Sequence, residues 1–180
     1  NPMCSQFDTV TSSPYKGWLY NARFDYTINS KHSASLRFSS DVNNTFAPRE
    51  QNVMPSLWRQ NRNNVYQTQG SWIATWRPNL TNSLSFNWQY IGNKSLVPVD
   101  ACGACIGVNG PQVQVNGSSF RMGNNTDAPQ NRAVHRYETN DNLSWTLGSH
   151  LIQTGINWEP AFGTGSWSFV DPALVVTHDP

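Results

Sequence analysis

The sequence predicts an all-β fold, an antiparallel up-and-down meander of about six long strands, on three observations. Apolar and polar residues alternate with period two over runs of ten residues or more, which puts successive side chains on opposite faces of a strand. Tight polar turns alternate with long connections, so that every short turn lies at one end of the meander and every long one at the other. Aromatic residues gather in two bands, one near each end of the runs. Long strands, one-sided loops and paired aromatic bands together describe part of a transmembrane β-barrel, with an apolar face toward lipid and a polar face toward the lumen.

Each run supports this in turn. The first, near residues 15–29, sets Trp18, Tyr20, Ala22, Phe24, Tyr26 and Ile28 against Asn21, Arg23, Asp25 and Thr27. After the polar turn at 29–32, the second run, near 33–46, sets Ala34, Leu36, Phe38 and Val42 against Ser35, Arg37, Ser39 and Asp41. A third, near 66–77, carries Tyr66, Trp72, Ala74 and Trp76 opposite Gln67, Gln69, Ser71 and Thr75. It turns at Pro78-Asn-Leu-Thr-Asn82 into the clearest run, near 83–92, where Leu84, Phe86, Trp88 and Tyr90 alternate with Ser85, Asn87 and Gln89. The fifth, near 134–147, opposes Tyr137, Leu143, Trp145 and Leu147 to Arg136, Glu138, Asn140, Asn142 and Ser144. Gly148-Ser-His150 then leads into a sixth, near 151–159, with Ile152, Ile156 and Trp158 opposite Gln153, Gly155 and Asn157. Three residues break parity: Asp141 falls on an apolar face, Leu19 and Ile73 on polar ones.

The lipid-facing girdle is expected at Trp18, Tyr20, Tyr26, Trp76, Trp88, Tyr90, Trp145 and Trp158, because an apolar ring with a polar N–H or O–H suits a membrane–water interface. The lumen-facing candidates are Arg23, Asp25, Arg37, Asp41, Arg77, Arg136 and Glu138; a Lys or Arg turned to lipid would cost about 2–4 kcal/mol at the midplane. Long extracellular loops are expected near 46–65, 92–133 and 160–180. The loop near 92–133 is rich in Gly, Asn and Pro and has the length of a ligand-contacting or gating loop.

Composition agrees with this reading and excludes others. Of 180 residues only 13% are charged, with 12 Lys or Arg against 11 Asp or Glu, while 12% are aromatic, including eight Trp. A soluble domain ordinarily carries about twice that charged fraction. Net charge +1 and the lack of a basic cluster speak against nucleic acid. No apolar run approaches the ~20 residues of a spanning helix. The chain begins at Asn1 without a signal-like segment and ends at Pro180 without a closing element, so it is expected to be a piece of a longer protein.

Chemistry-bearing motifs are sparse. Cys102 and Cys105 lie in a Gly- and Ala-rich loop and fit a local disulfide in an oxidising compartment, with Cys4 left over. His32, His135, His150 and His178 are scattered, and no carboxylate or second His stands at ligand spacing. Glu138 and Asp141 point to opposite faces. No nucleophile elbow, zinc helix or phosphate loop occurs, so no enzyme activity, catalytic residue, cofactor or metal is expected.

Three segments carry a family resemblance. Tyr20-Asn-Ala-Arg-Phe-Asp-Tyr-Thr-Ile-Asn-Ser-Lys-His32 with Leu36-Arg-Phe-Ser39 resembles the first barrel hairpins of Oar-like TonB-dependent receptors, which carry a carboxypeptidase-regulatory-like domain. Pro78-Asn-Leu-Thr-Asn-Ser-Leu-Ser-Phe-Asn-Trp88 looks like their recurrent turn and upward strand, and Asp141-Asn-Leu-Ser-Trp-Thr-Leu-Gly-Ser-His-Leu-Ile-Gln-Thr-Gly-Ile-Asn-Trp158 is similar to a further hairpin. The resemblance covers most of residues 15–170 and implies a barrel of about 22 strands around a plug, in a bacterial outer membrane. It also implies the partners: outer-membrane lipid, the remaining barrel and plug, the TonB complex, and an imported carbohydrate, peptide or chelate. The competing architecture is a secreted β-sandwich carbohydrate-binding module, in which the aromatic face would fill a core beneath a second sheet.

Overall fold

In the computed structural model the described residues are 12–47, 54–98, 110–116, 121–170 and 173–177. The strands are β1 (Tyr15–Asn29), β2 (His32–Ala47), β3 (Arg59–Arg77), β4 (Leu80–Leu96), β5 (Gln112–Val115), β6 (Arg121–Met122), β7 (Gln130–Leu147), β8 (His150–Trp158), β9 (Ala161–Trp167) and β10 (Leu174–Thr177). The fold is all-β. One large antiparallel sheet runs β1-β2-β3-β4-β7-β8, with β9 also on β7. Among the described residues no helix is long and apolar enough to cross a membrane.

β8 and β9 act as one strand. Thr139 pairs with Trp158 and Arg136 with Ala161, so the register passes through Glu159-Pro160 without slipping. The Tyr137 N–H donates to the Pro160 carbonyl at 3.0 Å, which keeps the ladder closed where proline offers no donor of its own. The sheet is therefore a six-strand meander.

Hairpin turns of two residues join β1 to β2, β3 to β4, and β7 to β8. In the first, Asn29 Oδ1 accepts from the Lys31 N–H at 2.8 Å, the local side-chain bond that makes Asn a turn residue. In the third, Gly148 takes φ +58, a conformation that glycine adopts without steric cost.

The strands reach well beyond the alternating runs at the far end. β3 starts at Arg59 rather than near 66, β4 continues to Leu96 rather than stopping near 92, and β7 starts at Gln130 rather than near 134. The loops expected at 46–65 and 92–133 are correspondingly shorter. They contain a 3-10 turn at Pro55–Leu57 and the short strands β5 and β6. Residues from 160 onward are not one long loop: β9 completes the large sheet, and β10 pairs in parallel with β5 in a small sheet of order β10-β5-β6. A polar ladder holds the extensions. The Asn63 amide donates to Asn43 Oδ1 at 2.8 Å, and the Asn93 amide donates to Asn63 Oδ1.

The best-packed region lies at this loop end. Phe46, Leu57, Pro98 and Ala128 are buried there, and Phe46 meets Trp58 with ring centroids 5.0 Å apart. Arg59 pairs with Asp127 at 3.0 Å, and Asn125 donates to the Leu57 carbonyl at 3.0 Å. The broad faces of the sheet carry no second layer among the described residues. Phe24 is 70% exposed, Trp18 67% and Ile156 74%, while Phe38 and Phe86 are exposed as well. A β-sandwich would bury these side chains, and that alternative is not favoured.

Candidate functional site

The functional surface of such a sheet is its pair of faces, and the register fixes which residues share each. Tyr20, Ser40, Tyr66, Tyr90, His135 and Phe162 stand side by side across six strands. The row below comprises Ala22, Phe38, Thr68, Trp88 and Tyr137, and the next has Phe24, Leu36, Gly70, Phe86, Thr139 and Trp158. Rings touch along the upper row: Tyr66 stacks on Tyr90 at 6.0 Å, and Tyr90 lies 4.9 Å from His135. Nearer the tight turns the same face carries Tyr26, Trp72, Leu84, Trp145 and Ile152.

Counted along each strand from its tight turn, the aromatics form two levels. Tyr26 and Trp145 lie within three residues of Asn29 and Leu147, whereas Trp18, Tyr20, Tyr66, Trp88, Tyr90, Tyr137 and Trp158 lie eight to eleven residues up. The span between the levels is mostly apolar, with Asp141 and Thr154 as polar members. The β4–β7 register runs without a shift past that residue, so no bulge turns it away. Asp141 stands between Leu84 and Ile156 and accepts a 2.6 Å hydrogen bond from the Asn82 amide, which partly satisfies a carboxylate on an apolar face.

The opposite face is polar. One of its rows reads Arg23, Arg37, Gln69, Asn87, Glu138 and Glu159, positive over β1 and β2 and negative over β7 and the strand beside it. Arg23 grips Asp25 with bonds of 2.8 to 3.0 Å, Arg136 pairs with Glu159, and Glu138 accepts from Asn140 at 2.9 Å. Further amide bonds join Gln67 to Asn87 at 3.0 Å and Asn157 to Asn140 at 2.6 Å. Arg23, Asp25, Arg37, Asp41, Arg136 and Glu138 thus share one face. Arg77 does not: a bulge between Thr75 and Arg77 sets it opposite Leu80 at the turn, and displaces Trp76 from strict alternation.

Leu19, the parity-breaker of β1, has companions. It lies in one row with Asp41, Val65, Ile91 and Val134, an apolar belt crossing the polar face. Ile73 has only polar row-mates in Ser33 and Ser83. The belt was hidden in the sequence because its apolar members lie at unequal distances, ten to thirteen residues, from their tight turns, and only the strand register aligns them. Cys4, Cys102, Cys105 and His178 lie outside the described residues. Among the described residues no three His, Cys, Asp or Glu side chains group to hold a metal ion.

A sheet of long strands with an uncovered aromatic-girdled face is built for lipid contact. The family model described as "Outer membrane beta barrel domain" matches residues 2–168. The chain belongs to this family. No curated protein and no solved structure matches it. Membership in the outer membrane beta barrel family places the chain in an outer membrane.

Proposed function

We propose that this domain is part of the wall of a bacterial TonB-dependent receptor of the Oar-like kind, importing a bulky nutrient such as a carbohydrate, peptide or chelate. The observation that carries the reading is the asymmetry of the wall. Its polar face is a field of amides and charges crossed by one apolar belt, and its long connections all rise from one end, beyond strands that outrun the aromatic girdle. In this reading the polar face lines a lumen wide enough for a plug, the tight turns are periplasmic, and the loops between β4 and β7 contact or gate the ligand. The role is transport, with the residues of the wall binding and guiding rather than catalysing.

β1 is paired on one side only, as are β8 and β9, among the described residues. A strand edge in lipid leaves N–H and C=O groups unsatisfied, so further strands would have to complete the wall.

The test is uptake by the native bacterium. Labelled oligosaccharides, peptides and iron chelates are offered to the wild type, to a strain lacking this gene, and to one lacking the TonB complex. Loss of uptake of the same compound in both mutants is expected. Uptake that persists without the TonB complex would sink the energised-transport reading while leaving the barrel assignment intact.

A further inference from the structure

In the charged row of the polar face, the outer charges are compensated and the inner two are not. Arg23 is held by Asp25, and Glu159 by Arg136. Arg37 and Glu138 have no partner of opposite charge among the described residues. The register joins these two through a pair of amides. Arg37 on β2 stands opposite Gln69 on β3, Gln69 opposite Asn87 on β4, and Asn87 opposite Glu138 on β7. Across the strands the order is therefore cation, amide, amide, anion, with Arg37 and Gln69 exposed and Asn87 and Glu138 half-buried.

Each of the four keeps bonding capacity for a further molecule. Arg37 has Arg23 as its cross-strand neighbour on the other side, a like charge that favours an anion beside it. Glu138 accepts from Asn140 at 2.9 Å through one carboxylate oxygen and retains the other as an acceptor. Asn87 Oδ1 accepts from Gln67 at 3.0 Å, which leaves the Asn87 amide N–H groups as donors. The Gln69 amide bonds to no neighbour among the described residues. A side-chain amide has the same donor and acceptor groups as a peptide unit, so it can pair with a peptide backbone. Three strand steps of ~4.8 Å place Arg37 and Glu138 about 14 Å apart, which an extended chain rising ~3.4 Å per residue spans in about four residues.

We propose that Arg37, Gln69, Asn87 and Glu138 form a clamp for a short extended peptide with free ends. Its carboxylate meets Arg37, its ammonium meets Glu138, and its backbone bonds to the two amides between. The occupant follows from charge complementarity: a free peptide carries opposite charges at its two ends with amides between them, in the same order as the row. A neutral carbohydrate would match the amides and leave both charges without a counterpart, and a chelate of one sign would match only one of them. The inference narrows the imported nutrient to a peptide, and it rests on the proposed reading that the polar face lines a lumen. Because the row meets ends and backbone, side-chain identity matters little and tetraalanine is a sufficient probe.

The test is calorimetric binding of tetraalanine to the full-length protein in detergent, beside N-acetyl-tetraalanine, tetraalanine amide, dialanine and maltotetraose. Tetraalanine is expected to bind, and dialanine, too short to reach both ends, to bind more weakly. Glu138→Gln should weaken tetraalanine by about fivefold, the upper value for an exposed ion pair, and leave the N-acetylated peptide unchanged. Arg37→Gln should weaken tetraalanine to a similar extent and leave the amidated peptide unchanged. Arg37→Glu alone should weaken binding further, and adding Glu138→Arg should restore it, because the peptide can then lie in the reverse direction. No binding of tetraalanine, or equal binding of free and end-blocked peptides by the wild type, overturns the clamp. Binding of maltotetraose without tetraalanine also overturns it, in favour of a carbohydrate, and leaves the transport reading intact. Tetraalanine binding with this end dependence, together with uptake that persists in cells lacking the TonB complex, upholds the clamp and overturns energised transport instead.

Discussion

At the scale of single residues, solvent decides what each position tolerates. Phe86 sits six residues from the tight-turn end of β4, midway between the aromatic levels, with Asn87 beside it on the other face. Phe86→Arg would put a guanidinium in hydrocarbon at a cost of about 2–4 kcal/mol, whereas Asn87→Arg would turn the same group to the polar face at little cost. Urea titration of the barrel folded in vesicles should show the first variant destabilised and the second close to wild type; equal effects would mean that the two faces meet the same solvent. Asp141 supplies a sharper case. Its Asn82 donor is nearly buried and lies 2.6 Å away, so Asn82→Ala strands the carboxylate and should cost about 1–3 kcal/mol. Removing both polar groups together, with Asn82→Leu and Asp141→Leu, should restore or exceed wild-type stability in the same assay, since an apolar pair in lipid has nothing to satisfy.

At the scale of elements, the hairpins were legible because two periodicities coincide in them: the two-residue backbone repeat and the alternation of lipid with lumen. Strand ends were legible only where both stop together, at the tight turns. At the other end lipid stops first. Arg62 and Lys94 take positions that would carry Tyr or Phe a few residues lower, yet backbone pairing continues through them because hydrogen bonding does not depend on the solvent outside. An alternation test therefore ends β3, β4 and β7 too early. β9 was missed for a related reason: Pro160 and the small residues Gly163 and Gly165 read as loop, although at Gly165 a β7 carbonyl comes closer than a larger residue would allow. A Cβ on Gly165 would meet the Asn131 carbonyl oxygen at 2.6 Å, and one on Gly155 the Asp141 oxygen at the same distance. Gly155→Val should accordingly push β8 from β7 and cost about 1–3 kcal/mol, the range for overpacking. Faster amide exchange confined to residues 139–158 would report that local opening; unchanged protection there would show that the strand shifts without strain.

At the scale of the whole molecule, the sheet inverts the economy of a soluble domain. Its broad apolar face is uncovered, and its buried apolar residues gather mainly at one rim, around Phe46, Leu57 and Ala128. In water, exposure of side chains such as Phe24, Trp18 and Ile156 is unfavourable at about 25 cal/mol per Å² of apolar surface, and the large patches they form drive association. Among the described residues, open edges on β1 and on β8 and β9 add unpaired backbone donors and acceptors to the same surface. The two liabilities respond to different remedies, which makes them separable. Detergent covers the apolar face but pairs no edge, so this chain produced without detergent should sediment as β-rich aggregate and disperse only in part when detergent is added. If further strands complete the wall as proposed, their presence should remove the remainder, giving a folded barrel that resists denaturation at room temperature and changes electrophoretic mobility on heating. A monodisperse chain in plain buffer with a cooperative melt would contradict both terms at once, because it would require the aromatic face to be buried against protein.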